Sequence, residues 1–574
     1  MGPNALTTRG SAVLETSESE RAAGRPLATA APPPALRWVP GPRAAAFSAA
    51  DLLESVRCFR QPAHIIRARA GHEPGVGLEG SLVTSASASI SSAAAGGATG
   101  YEVLGTLPAL YPEWLGDRSF TRAHGVRFPY VAGEMANGIS TVASVVAMAR
   151  AQMLGFFGAA GLALPTVERA VDELVRTLRG LDNWGVNLIH SPAEAGREDR
   201  LVELLLRARV PKLSASAYME LTPAVVRCAV AGLRSGPDGE VVRARHLFAK
   251  VSHPEIAAKF LSPAPAELLR ALQDRGQITA EEARLAARIP LAEDVTVEAD
   301  SGGHTDNRPL AVVLPAIRAL RDELSRRHGY TRPIRIGAAG GLGEPAGVAA
   351  AFAAGAAYVV TGTVNQLSVE AGLSDAAKEL LAQADLADIA MAAAADMFES
   401  GVRVQVLRRG TLFAVRANQL YDLYQTYPSL DAIPAPARDR LEKDVLRNTF
   451  EDAWAQTRTF WLERDPREVE RAERDARHRM ALVFRSYLGL SSRWAIDGEP
   501  GRRADYQIWC GPAIGAFNRW TAGSPLAEPE RRTVVQIALN LLEGAAAVTR
   551  AHQLRTYGVA VPGEAFVHRP RLLS

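Results

Sequence analysis

Cysteine is scarce in this chain: Cys58, Cys228 and Cys510 are the three among 574 residues, and they lie far apart. That spacing offers neither a disulfide framework nor a set of thiolate ligands, so no metal is expected and a reducing compartment suits it. Charge of one sign is missing too. The net charge is +3, which leaves no electrostatic footprint for nucleic acid. The densest basic cluster, Arg467 to Arg479, alternates with Glu and Asp and reads as a solvated helix face. Long apolar runs are absent. The window Val142 to Ala163 is broken by Arg150, and Gly347 to Val360 is short of a membrane span. The N-terminus shows no charged start followed by an apolar stretch, so no signal peptide is expected, no membrane is involved, and the expected location is cytoplasmic.

What is present is alternation. Residues 1–36, rich in Ala, Pro, Ser, Thr and Arg, read as disordered. A mixed region, 37–127, contains the small-residue run Ser85 to Gly100, which reads as a flexible loop. From Phe128 onward short apolar runs alternate with amphipathic stretches. The runs are Phe128–Gly133, Met153–Gly158, Trp184–His190, Lys212–Ser216, Arg245–Lys250, Val295–Ala299, Ile334–Gly337 and Tyr358–Gly362. Helix-like segments between them include Ser140–Arg150, Thr166–Arg179, Glu194–Arg209 and Thr222–Leu233, with starts at Pro165-Thr166 and Thr222-Pro223. Eight strand–helix units predict an α/β protein, a (β/α)8 TIM barrel over 128–372. A doubly wound open sheet also alternates, but its glycine-rich turn follows the first strand, whereas here the glycine loops follow strands seven and eight. Beyond the barrel, 373–574 reads as a mainly helical subdomain. Ser374–Met397 looks helical, and Arg532–Gln553 looks like a final amphipathic helix. An aromatic series (Tyr421, Tyr424, Tyr427, Phe450, Trp454, Phe460, Trp461) is either core or the lining of a substrate channel.

The glycine loops carry the chemistry. Ala339-Gly340-Gly341 after strand seven and Gly362-Thr363 after strand eight place small residues, backbone N–H groups and a hydroxyl at adjacent strand ends. Together with the helix that Pro345 starts, they make a phosphate site; the bland reading is a pair of tight turns. Strand six runs into Asp300-Ser301-Gly302-Gly303-His304, so a ligand could lie against the backbone with His304 above it, free to exchange a proton. Gly133, Met135 and Ala136 after strand one could meet a flat ring, Asn187 could hydrogen-bond a heterocycle or phosphate, and Lys250 could stabilise an electron-rich ring. A structural His and a surface Lys are the competing readings.

At these loops the sequence resembles the flavin-dependent nitronate monooxygenases and the flavin-containing bacterial enoyl-acyl-carrier-protein reductases. Glu134 departs from the proline common there. A closer resemblance, from about Gly105 onward, rests on Leu107–Asp117, Trp184–Pro192, Glu298–Arg308 and Asp505-Tyr506-Gln507-Ile508-Trp509-Cys510-Gly511-Pro512. These segments are similar to the PfaD family of trans-acting enoyl reductases, which serve polyunsaturated fatty acid and polyketide synthases. The resemblance implies FMN, reduced by NADPH or NADH, and an enoyl thioester on the acyl carrier protein of a separate synthase. It casts His304 as the group acting on substrate, with Lys250 beside the flavin and Asp300 orienting the ligand. It leaves a homodimer open. A nitronate oxidase, and a docking component with a vestigial barrel, are the alternatives.

Overall fold

Side chains on a strand alternate between faces. In His246–Val251 this puts His246, Phe248 and Lys250 on one face, and in Asp294–Glu298 it puts Asp294, Thr296 and Glu298 together. Both sets point into a closed barrel, the apolar residues between them facing the surrounding helices. The computed structural model describes residues 36–84, 100–190 and 196–573. Within them eight parallel strands close on themselves: β1 (Tyr130–Ala132), β2 (Leu154–Phe157), β3 (Trp184–Ile189), β4 (Lys212–Ser216), β5 (His246–Val251), β6 (Asp294–Glu298), β7 (Arg335–Ala339) and β8 (Val359–Thr361). β8 returns to β1 through the pair Val359 and Tyr130. Every strand lies in or overlaps a run marked by the sequence, and closure excludes the open sheet. The helix starts also hold: the Thr222 side chain caps Pro223–Val230, and Pro165 sits in the first turn of Leu164–Thr177.

The N-terminal region forms a five-stranded antiparallel sheet, Leu36–Pro40, Ala63–Arg67, Gly75–Gly77, Gly80–Thr84 and Tyr101–Leu107. The expected disordered N-terminal segment and nearly all of the small-residue loop after Thr84 lie outside the described residues.

Two expectations are corrected downstream. Ser374–Met397 is not one helix: Asp375–Ala382 is helical, but Ile389–Ala393 is a strand. It pairs with Arg403–Leu407, which pairs in turn with the two-residue strand Gly303–His304. Alanine favours helix only weakly, and the ladder offered by Val404 and Val406 overrides it. The last helix, Val534–Thr556, is not amphipathic but buried nearly all round. It packs against helices Ala49–Arg57, Val142–Arg150 and Pro345–Ala353, so its residues belong to the barrel's core.

A separate core runs from Ala392 to Leu488 and includes Tyr424 and Phe450. Trp461 packs with Val469, Ala472 and Leu482, so for these aromatics the core reading holds. Phe460 is the exception at 50% exposure.

The N-terminal ends of the barrel strands are plugged by charge. Asp294 accepts both Nε and Nη2 of Arg335, at 2.6 and 2.7 Å, and His124 Nε2 lies 3.1 Å from the same carboxylate. Burial alone would raise the Asp294 pKa, yet His124 and Arg335 hold it well below the carboxylate range. Arg335 carries the fixed charge, because burial pushes His124 toward its neutral form. Burial lowers the neighbouring His246 to about 3. His124, His246 and Asp294 bring ligand atoms within 4.8 Å of one another. With Arg335 on both oxygens and the Lys212 amine acting on both imidazoles, a metal ion would compete with two basic side chains, and we assign none. Asp294→Asn is expected to cost about 3–5 kcal/mol, because it strands a buried guanidinium. The urea midpoint measures it. Both Asp294 and His246 are depressed, so their contributions are present at neutral pH and lost in acid. The His246 part goes first, as pH falls below about 6.5.

Candidate active site

The opposite end of the barrel is built from glycine. Gly340 and Gly341 follow β7 at φ +90° and +71°, a region that costs other residues about 1–2 kcal/mol. A Cβ on Gly340 would lie 2.8 Å from the Asp300 carbonyl oxygen, so only glycine fits there. Around Gly341 and Gly362, by contrast, a Cβ would meet nothing within 4 Å: the space beside both backbones is open. The N–H groups of Gly340, Gly341 and Gly362 find no acceptor among the described residues. Helix Pro345–Ala353 begins just beyond, with no side chain capping its first turn. Thr363 opens a 3-10 turn after β8, its hydroxyl accepting the Gly511 N–H at 3.2 Å. β7 and β8 are paired neighbours, so the two loops lie side by side, and N–H groups without a protein acceptor at adjacent strand ends could hold a phosphate.

Residues far along the chain hold this surface in place. A Cβ on Gly302 would fall 2.8 Å from Cys510 Cα, and one on Gly343 would collide with the Ala513 carbonyl. Gln366 Nε2 donates to the Trp509 carbonyl at 2.5 Å. The Asp505–Pro512 motif thus braces the loops after β6, β7 and β8. Asp300 is fixed by Gln405 Nε2, which donates to its Oδ1 at 2.8 Å and to Ser301 O at 2.7 Å.

Lys250 sits inside the mouth of the barrel, not on the surface. Its Nζ is 3.4 Å from Glu134 Oε1 and 3.1 Å from Glu298 Oε1. Burial alone would lower the amine's pKa, but the two carboxylates outweigh it and hold Lys250 protonated. Ser214 donates to Glu134 Oε1 at 3.0 Å. Glu134 therefore turns inward, and two carboxyl groups flank the one amine.

His304 stands in the strand Gly303–His304, tied to Arg403–Leu407. Its Nε2 is 3.1 Å from Asp396 Oδ1, and about a third of its side chain is exposed. Asp306, two residues on, pairs with His253 Nε2 at 2.7 Å. The loop is thereby clamped between the end of β5 and the downstream sheet.

Other expected contacts are spent internally. Gly133 N–H donates to Thr361 O at 2.9 Å, and a Cβ there would press on Val360 at 2.8 Å, so this glycine joins β1 to β8. Met135 and Ala136 lie half-buried in the following turn, which the Ser140 hydroxyl fastens at Met135 N. Asn187 is buried, accepting from Ala160 N and donating to Ser216 Oγ. Its amide ties the loop after β2 to the end of β4.

Comparison with known proteins follows the same division of the chain. Residues 256–427 match the family described as nitronate monooxygenase. Residues 427–506 match the inserted helical domain of [acyl-carrier-protein] S-malonyltransferase. A polyunsaturated fatty acid synthase component of Thraustochytrium sp. is 45% identical over 79% of this chain and 31% of its own length. The polyketide biosynthesis protein PksE of Bacillus subtilis is 42% identical over 75% of this chain and 56% of its own. The crystal structure of the enoyl reductase domain of MlnA, from the macrolactin cluster of Bacillus amyloliquefaciens, superposes with a TM-score of 0.73 at 36% identity. It covers 78% of this chain and 99% of that domain. The chain belongs to the PfaD-like enoyl reductase family. It is an oxidoreductase, and it spans 31% and 56% of the length of the two curated relatives.

The sequence alone missed Glu134, Glu298, Gln405 and Asp396 as candidate site residues. Glu298 had a signal, since it shares the inward face of β6 with Thr296. Gln405 and Asp396 had none, because nothing local distinguishes them from surface residues.

Proposed function

We propose that this chain reduces the α,β-double bond of enoyl thioesters carried on an acyl carrier protein. Hydride for the β-carbon would come from NADPH or NADH by way of bound FMN. The N–H groups without a protein acceptor at the ends of β7 and β8, beside the loop after the neighbouring strand β6 that carries His304, support this reading. The N–H groups of Gly340, Gly341 and Gly362 and the Thr363 hydroxyl would hold the phosphate, with the carbonyl end of Ala339 setting the turn. One phosphate site without a second pyrophosphate motif favours FMN over FAD. Lys250 offsets negative charge at the mouth, Asp300 is held ready to orient the ligand, and His304 donates a proton to the substrate or polarises it. The relatives' synthase context supports a separate synthase as partner. Three cysteines too far apart in sequence for a disulfide framework suit a reducing compartment, and a cytoplasmic location is part of this reading. No described helix is long and apolar enough to cross a membrane.

Purified protein is expected to be yellow and to release FMN on heating. With NADPH and a crotonyl-loaded carrier protein under anaerobic conditions, the carrier should gain two hydrogens by mass. Release of FAD, failure of the folded protein to take up FMN, or an unchanged carrier mass sinks the proposal. The match to nitronate monooxygenase supports a second reading, oxidation of a nitronate with His304 as base. Turnover that requires oxygen and ignores the thioester would favour it.

A further inference from the structure

His304 can serve as a proton donor only if the right nitrogen carries a proton at the right moment, and the fold contains a device for this. Asp396 lies three residues beyond the strand Ile389–Ala393, in the same small sheet that carries His304. Its turn is pinned from behind: Arg485, on helix Ala476–Asp497, donates Nε to the Ala395 carbonyl at 2.8 Å and reaches Glu399 at 3.2 Å. The Asp396 carboxylate meets His304 at Nε2. His304 Nδ1 has no partner among the described residues. The other charges acting on the pair are Glu298, at the end of β6 and itself bound to Lys250, and Arg485.

A neutral imidazole has one N–H. If Nε2–H is committed to Asp396, Nδ1 is a bare acceptor in the neutral ring, and it can donate only from the imidazolium. A carboxylate on Nε2 thus fixes the tautomer and stabilises the cation. The balance of forces agrees: burial lowers the His304 pKa, but Asp396 and Glu298 raise it more. Burial raises the Asp396 pKa, and His304 more than reverses that.

We propose that Asp396 is a positioning residue that holds His304 through Nε2 and makes Nδ1 the nitrogen that protonates the α-carbon of the substrate. The inference rests on the enoyl reductase reading. Hydride from FMN reduced by NAD(P)H forms the new C–H bond at the β-carbon, and the π pair moves to the α-carbon as an enolate. The Nδ1–H bond breaks as the α-carbon C–H bond forms. His304 is left neutral and regains its proton from water. The donor is therefore assembled from the barrel loop and from a sheet contributed largely by the downstream region.

The test uses full-length FMN-loaded protein, pre-reduced, with crotonyl-loaded carrier protein in a stopped-flow instrument across pH. A donor must be protonated, so wild-type reoxidation should slow as pH rises through the His304 titration. In Asp396→Asn the same limb should move to lower pH. Its rate should then fall about tenfold or more below wild type near pH 8 and approach wild type near pH 6. Asp396→Glu should recover part of the loss. Nitrogen-15 NMR of histidine-labelled protein, with His304→Gln for assignment, should show Nε2 as the protonated nitrogen of neutral His304, and a titration shifted down in Asp396→Asn. Asp396 is more than half exposed, so the variant should fold. A limb and a titration that stay in place, while wild type is reoxidised normally, overturn this inference alone. Wild-type protein that takes up no FMN, or whose reduced FMN the thioester fails to reoxidise, overturns the proposed reaction and this inference with it.

Discussion

His304→Ala is expected to bind FMN and accept hydride from NADPH, while transfer from reduced flavin to the enoyl thioester slows by about 10²–10⁴-fold. The separation follows from position. His304 is in a loop after β6, fastened by Gly303 to Gln405 and by Asp306 to His253. The proposed phosphate surface is built from other residues, after β7 and β8. Removing the imidazole leaves that surface intact and removes one proton donor from the open side. Absorbance at the oxidised flavin band follows the two half-reactions separately. A variant that loses flavin reduction but keeps normal reoxidation by substrate would show that His304 serves the nicotinamide instead. A loss smaller than this range would point to water or Lys250 as the proton source.

Gly341→Asp is expected to empty the FMN site. Two unit charges about 4 Å apart in a partly screened site repel by about 4 kcal/mol, and that weakens binding by about 10³-fold. The residue's φ of +71° adds strain, and the open space beside it is where the new carboxylate would go. Gly341→Ala carries the strain without the charge and should lose about 30-fold at most. Quenching of FMN fluorescence on titration gives both affinities. An Asp variant that binds FMN as tightly as wild type would place the phosphate elsewhere.

The same loops show how far a sequence can be read. Positive φ at Gly340 and Gly341 and a strained approach to the Asp300 carbonyl explain why glycine stands there, and glycine is visible without coordinates. That Lys250 is not a surface lysine was legible because Phe248 and Val251 flank it in an apolar run. Its two carboxylates were not, because Glu134 follows β1 and Glu298 ends β6. The misread helix at Ile389–Ala393 has the same origin: its strand partner lies beyond a turn, and alanine-rich composition favours helix when that partner is ignored. The buried last helix looked amphipathic because its polar residues Asn540, Glu543 and Arg550 suggest an outer face. In the structure they are buried and bonded. Arg60 and Arg571 reach Glu543, Asn540 binds the backbone of Arg571, and Arg550 holds the Phe59 carbonyl.

By itself the sequence determined the eight strands, their order and the glycine surface, because periodicity and backbone freedom are local properties carried by neighbouring residues. Tertiary structure alone decided which side chains complete the site. Asp396 reaches His304 across 92 residues, and Gln405 reaches Asp300 across 105. Such contacts depend on how sheets and helices pack after the barrel has closed, and a polar residue gives no local sign of the partner that packing will bring.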